Sequence, residues 1–228
     1  MKVAALIPVK GFRNAKQRLS PLLDAGDREA LAEAMFRDVL RQVLLARRLD
    51  ATFVVTGNEA VAAIALALGA EVIREDAERG ETDAVDFARR HLKAAGWEAV
   101  LIIPGDIPLL CARDIDEILS QLPDGATAPF ALLVPSHDRM GTNALLLAPP
   151  DIIKLRFGHD SFSYHMNQVS AQKLPLRFSE NEHIALDIDE PKDLQRFLAI
   201  GSEAGKAFCL ARQMMNVALE KSRRSGGV

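Results

Sequence analysis

Cysteine, tryptophan and tyrosine are scarce: 2 Cys, 1 Trp and 1 Tyr in 228 residues. Cys111 and Cys209 have no CxxC partner and no zinc-finger companions, which excludes a disulfide framework and a thiolate metal centre. Both are expected to be packing residues in a reducing compartment. An excess of one charge is missing as well. With 28 basic and 31 acidic residues the net charge is −3, so no overall field favours nucleic acid or an anionic membrane. Long apolar runs are absent: the longest, residues 60–70, is well short of the ~18 that suggest a membrane span. The opening MKVAALIPVK is interrupted by Pro8 and Lys10, too early for a signal-peptide core, and a cytoplasmic location is expected. There is no internal repeat, no low-complexity linker and no GxxxxGK[ST] phosphate loop.

The composition that remains, 49% hydrophobic and 26% charged, is that of an ordinary globular domain. Short β-rich apolar runs occur at residues 3–7, 52–56, 71–73, 100–103, 130–134, 144–147 and 174–178. Helical stretches lie between them at 27–47, 59–68, 82–95, 113–121 and 161–170. In the first of these, Leu31, Met35, Val39 and Val43 form a ladder expected to line one face. Asp27, Asn58 and Thr82 stand where N-caps are expected. Near-continuously apolar strands, alternating with helices, indicate a mainly parallel sheet covered on both faces. Between residues 130 and 178 the strands crowd together, and antiparallel members are expected there. The reading is one three-layer α/β domain over residues 1–200, followed by a helical tail over 201–228 whose last residues fray.

In an open α/β sheet, ligands sit beyond the carboxyl ends of the strands, so the residues that follow each strand matter most. After the first strand come Lys10, Gly11, Arg13, Lys16 and Arg18, cations in a glycine-containing loop that suit either a polyphosphate or plain solvation. After the fourth comes PGDIP. A carboxylate there is costly unless paired or metal-bound, so Asp106 is a metal-ligand candidate, with helix capping as the plain alternative. In ALDIDEPKDL, Asp187 and Asp189 flank one apolar residue and point the same way on an extended backbone. Carboxylates converging on Asp106 call for a divalent cation, and magnesium prefers few carboxylates plus phosphate oxygens. Asp189 also suits a cap for the helix that Pro191 enters. Thr142 and Asn143, then Gly158 and Ser161, place small donors beside glycines, either an anion nest or turn chemistry. His165, one turn after Ser161, faces the same site or packs. Thr82 and Asp83 either accept from a purine or cap their helix.

Together and in this order, IPVK…AKQRL, PGDIP, GTN, FGxxSFxxH and LDIDEPKDL resemble the 2-phospho-L-lactate guanylyltransferase family of coenzyme F-420 biosynthesis, over residues 1–198. The resemblance implies a fold like that of nucleotide-diphospho-sugar transferases. It implies that GTP, Mg2+ and a phosphorylated three-carbon acid (2-phospho-L-lactate, phosphoenolpyruvate or 3-phosphoglycerate) give a GDP-linked acid and pyrophosphate. Thr142, Asn143, Gly158 and Ser161 would hold the acid; Asp106 with Asp187 or Asp189 would hold the metal. Pro8, Val9, Gly11, Thr82 and Asp83 would line the nucleotide, and Lys10, Lys16 and Arg18 would stabilise departing pyrophosphate. Two segments depart from the family pattern: FGHDSF puts Asp160 near the anion site, and GETD stands where a GLN-like segment is common. A homodimer is compatible with the sequence; nucleic-acid and membrane partners are not expected. The rivals are a nucleotidyltransferase with another acceptor, a glycosyltransferase using DID as a DxD metal motif, and a non-catalytic nucleotide-binding regulator.

Overall fold

The computed structural model describes residues 1–75, 80–123, 129–203 and 205–225. Seven strands, β1 (Val3–Pro8), β2 (Ala51–Thr56), β3 (Glu71–Arg74), β4 (Ala99–Ile102), β5 (Phe130–Pro135), β6 (Thr142–Ala148) and β7 (Arg177–Phe178), form one sheet in the order β3-β2-β1-β4-β6-β5-β7. Strands β1 to β4 are parallel, whereas β6 runs antiparallel to both β4 and β5. The crowded part of the sequence therefore supplies the antiparallel members, as its short connections require. The expected strand at 174–178 shrinks to the two exposed residues of β7 at the sheet edge.

Helices α1 (Ala25–Leu45), α2 (Glu59–Leu68), α3 (Glu81–Ala94), α4 (Ala112–Leu119), α5 (Ser161–Ala171), α6 (Glu182–Ala185), α7 (Pro191–Ile200) and α8 (Lys206–Ser225) complete the chain. Val3, Ala5 and Ile7 of β1 pack with α1, α2 and α4 on one face, through Phe36, Ile64 and Ile115 among others. Ala4 and Leu6 pack on the other face with Val85 and Leu92 of α3 and Val169 of α5. Burial on both faces explains why the strands lack the polar alternation of a half-exposed sheet.

A third apolar cluster lies outside α1, where Leu31 and Met35 meet Leu194 and Phe197 of α7 and Phe208 and Ala211 of α8. Val39 and Val43, the other half of the expected ladder, belong to the sheet-facing core instead. Steps of four residues rotate about 40° each around a helix, so the ladder drifts from one neighbour to the other. Residues 206–225 are helical, including the first part of the segment expected to fray; residues 226–228 lie outside the described residues.

The caps differ in detail from the sequence expectation. Asn58 caps α2, its side chain accepting from Ala60 and Val61 N–H. Asp24, not Asp27, caps α1, and accepts from Asp27 N–H. Gly80 stands at the N-cap of α3, where a left-handed φ of 97° is needed that Thr82 would resist. Neither cysteine is a core residue: Cys111 caps α4, and exposed Cys209 donates its Sγ–H to Glu203 O.

Between β1 and β4 the growth of the sheet reverses, since β2 and β3 extend it one way and β6, β5 and β7 the other. That crevice lies beyond the carboxyl ends of β1 and β4, where IPVKG and PGDIP emerge.

Candidate active site

The loop after β1 is folded by two contacts that its sequence makes possible. Phe12 is buried against Phe36 of α1, ring centroids 5.9 Å apart. Gly11 runs so close to α2 that a Cβ would stand 2.8 Å from Asn58 Nδ2. From this anchor the chain reaches Lys16, whose backbone is left-handed with φ 54°. Its side chain, only 8% exposed, donates from Nζ to Asp106 Oδ2 at 2.5 Å and to Asp189 Oδ1 at 2.8 Å. Burial works against the ammonium, but Asp106 and Asp189 outweigh it and hold the group above the usual lysine range.

Asp106 leaves β4 behind buried Ile103, and its carbonyl accepts from Ile188 N–H at 3.1 Å. That bond ties the strand end to the segment carrying Asp187 and Asp189, while Ile188 between them is wholly buried. Asp187 Oδ1 accepts from Asn143 Nδ2 at 3.0 Å. Burial, then the charge of Asp106, pushes the Asp187 carboxyl up. Neither Asp106 nor Asp189 caps a helix; Glu190 caps α7, and Pro191 occupies its first turn.

Asp106, Asp187 and Asp189 thus line one cleft of about 390 Å³. Thr142, Asn143, Gly158 and Ser161 also line it, so all four acceptor-site candidates are brought to the same cleft as the aspartates. Gly158 has φ 100°, a conformation that glycine adopts without strain. Asn143 donates both to Asp187 and to Ile184 O, so its amide is committed to holding the carboxylate. Thr142 and Ser161 are joined by a 3.0 Å bond from Thr142 N–H to Ser161 Oγ. His165, wholly buried, packs behind them with Nδ1 2.9 Å from Thr142 Oγ1. The carboxylate of Asp160 is not part of the cleft wall; its neighbours His159 and Ser161 are.

A smaller hollow of about 220 Å³ opens on the other side of Asp106, lined by Pro8, Val9, Lys10, Gly11 and Lys16. Lys10 and Asp106 also meet in an adjoining hollow that contains Glu81. Arg18 belongs to the larger cleft and pairs with Glu190 at 3.6 Å. The expected lysine cluster is therefore divided: Lys16 is spent on carboxylates, while Lys10 and Arg18 flank Asp106 on its two sides.

The GETD segment also departs from its expected role. Thr82 Oγ1 accepts from Phe157 N–H at 2.9 Å, fastening α3 to the loop before Gly158. Asp83 lines a separate depression with Asp86, Phe87, Arg90 and His91, and does not reach the cleft. The residue that does is Glu81, whose chemistry the sequence did not single out. Burial, and then Asp106, push its carboxyl up to about 7. The residue as a whole remains exposed at the cleft rim; a concave mouth desolvates a carboxyl that solvent still reaches.

The donor set fits a divalent cation. Three carboxylates against one ammonium leave two negative charges, and the charge of Asp106 adds to burial in raising Asp187. All the available ligands are hard oxygens, as Mg2+ requires. Among the described residues the group whose ligand atoms all lie within 4.8 Å of one another is Cys111, Asp114 and His183, not the three aspartates. There, however, Asp114 already accepts from Cys111 N–H and Asn181 and contacts His183, an arrangement that closes the N-terminus of α4.

Similarity to known proteins extends over nearly the whole chain. Residues 3–226 match the family model described as guanylyl transferase CofC like. The phosphoenolpyruvate guanylyltransferase of Conexibacter woesei is 35% identical over 227 residues, covering 99% of this chain and 100% of that protein. The 2-phospho-L-lactate guanylyltransferase of Methanothermobacter thermautotrophicus is 34% identical, covering 88% of this chain and 86% of that one. The 3-phospho-D-glycerate guanylyltransferase of Colwellia psychrerythraea is 33% identical, covering 89% and 94%. In fold the chain is similar to a protein named provisionally as a nucleotide-diphospho-sugar transferase, from Desulfovibrio desulfuricans G20. The TM-score is 0.76 at 17% identity, covering 96% of this chain and 98% of that one. The three-layer α/β fold with its mixed, mainly parallel sheet is thus that of the nucleotide-diphospho-sugar transferases. The chain belongs to the CofC-like guanylyltransferase family.

Proposed function

We propose that the protein transfers the guanylyl group of GTP to a phosphorylated three-carbon acid (phosphoenolpyruvate, 2-phospho-L-lactate or 3-phosphoglycerate) with release of pyrophosphate, in coenzyme F-420 biosynthesis. The observation that carries this reading is the place of Asp106, in the wall shared by the opening-loop hollow and the hydroxyl-lined cleft. Two anionic substrates held on either side of one carboxylate centre are what phosphoryl-group transfer between them needs. The substrates named for the relatives support the acid and the base.

In the reaction, an oxygen of the acceptor phosphate forms a bond to the α-phosphorus of GTP. The bond from that phosphorus to the bridging oxygen breaks, and pyrophosphate leaves with the electron pair. A phosphate dianion is already a nucleophile at neutral pH, so the protein's work is alignment and charge neutralisation. Asp106, Asp187 and Asp189 would hold Mg2+, which supplies Lewis-acid polarisation of phosphoryl oxygens when bound. Lys16 keeps Asp106 and Asp189 at a fixed separation, and Asn143 orients Asp187. Lys10, and Arg18 with its loose 3.6 Å pairing to Glu190, stand outside the aspartate cluster and would meet phosphate oxygens. A cytoplasmic setting suits free Cys111 and Cys209; among the described residues no helix is long and apolar enough to cross a membrane.

Pyrophosphate release measured with GTP against the three acids tests the reading. Release with at least one acid, dependent on Mg2+, is the expected result. Release only from CTP with a sugar phosphate, or sugar release from a nucleotide sugar, would replace it.

A further inference from the structure

The cleft wall contains two buried hydroxyls whose oxygens already accept hydrogen bonds. Ser161, 2% exposed, accepts from Thr142 N–H at 3.0 Å, and Thr142, 7% exposed, contacts His165 Nδ1 at 2.9 Å. The direction of that second bond follows from the far side of the ring. His165 Nε2 lies 3.2 Å from the backbone N of Arg156. A backbone amide can only donate, so Nε2 must present its lone pair. The single proton of the neutral ring is then on Nδ1 and donates to Thr142 Oγ1. Thr142 is barred from donating back, and its own proton must turn elsewhere. Among the described residues neither the Thr142 nor the Ser161 proton meets a protein acceptor. Both residues border the cleft, and a buried hydroxyl proton without an acceptor carries a desolvation cost that a ligand oxyanion would relieve.

We propose that His165 is a positioning residue: through its ring the Arg156 amide fixes the Thr142 hydroxyl as a donor aimed at an oxyanion of the acceptor acid. The inference rests on the acceptor reading above and extends it to a residue that does not itself line the cleft. Burial, with help from Arg89 and Arg156, keeps the imidazole neutral down to about pH 4, so the donor direction persists at neutral pH. Phe157 edge-on at 5.4 Å holds the ring in place.

Two conservative variants separate the role from simple packing. Asparagine sets an amide N–H where Nδ1 stands and keeps the donor to Thr142. Glutamine sets an acceptor near Nε2 and satisfies Arg156, but loses the donor. In pyrophosphate-release kinetics, His165→Gln is expected to raise the acceptor KM about tenfold, the worth of one hydrogen bond to a charged group, with the KM for GTP unchanged. His165→Asn is expected to retain most of the wild-type acceptor KM. In a Thr142→Val background, His165→Gln should add nothing further, because both act through one hydroxyl. Nitrogen-15 NMR of the wild-type histidines supplies a readout apart from activity, with Nδ1 protonated and Nε2 bare. An Nε2–H tautomer, an unchanged acceptor KM in His165→Gln, or equal losses in both variants would overturn the role alone. Wild-type protein silent with all three acids would overturn the acceptor reading and the role with it.

Discussion

Lys16 Nζ and Asp106 Oδ2 stand 2.5 Å apart although ninety positions separate them in the chain. The same ammonium reaches Asp189, 173 positions away, at 2.8 Å. One side chain thus joins the loop after β1, the end of β4 and the segment before α7. It is a structural centre of the cleft as much as a source of charge.

Removing that ammonium should cost stability and activity together. Lys16→Met leaves Asp106 and Asp189 facing each other. Because these are 32% and 45% exposed, the loss is discounted to about 1–2 kcal/mol in urea unfolding at pH 7. Pyrophosphate release should fall by about a hundredfold or more, the size of effect seen when one group stabilising developing charge is lost. Full activity would show that the carboxylates align without it.

Asp106→Ala should abolish transfer and leave the fold nearly intact, since the residue is at the surface of a cleft and not in the core. Calorimetric titration with Mg2+ should show its affinity reduced along with turnover. Near-normal turnover in this variant would refute the metal assignment.

Thr82→Val tests whether α3 reads the base. The structure commits the Thr82 hydroxyl to Phe157 N–H, so the change should cost about 1–2 kcal/mol for an amide left without its partner. Preference for GTP over ATP, measured by pyrophosphate release with each, should stay as in the wild type. A collapse of that preference would restore Thr82 as a base contact.

His165 also predicts how stability responds to acid. Its pKa falls from 6.5 in the unfolded chain to about 4 in the fold, with burial the main cause. Between those values the unfolded state binds more protons, so this group's contribution is lost as pH drops from 6.5 towards 4. The loss at pH 4 amounts to about 3 kcal/mol. Denaturant unfolding followed across that range should show a shallower acid slope in His165→Asn. An identical slope would mean that the ring titrates freely.

Much of this was legible from local pattern. Short apolar runs and caps such as Asn58 located the elements, because strand and helix periodicity is a property of neighbouring residues. The opening loop and PGDIP follow β1 and β4 as read, whereas LDIDEP follows α6 and is tied to the end of β4 by the bond from Ile188 N–H to Asp106 O. The helix face of the GETD segment was not legible. Adjacent residues on a helix diverge by about 100°, which turns Thr82 towards Phe157 and Asp83 towards Arg90. Adjacent residues on β6 diverge likewise, so Thr142 meets His165 while Asn143 meets Asp187.

The sequence by itself determined a layered α/β chain with carboxylates and cations gathered at strand ends, since each of those features is written within a dozen residues. Which cation enters the carboxylate cluster, which hydroxyl is aimed, and how Asp187 comes to stand near Asp106 were decided only by the tertiary structure. Those choices depend on closing loops of many tens of residues, and the contacts that repay the closure come from segments that carry no local sign of one another.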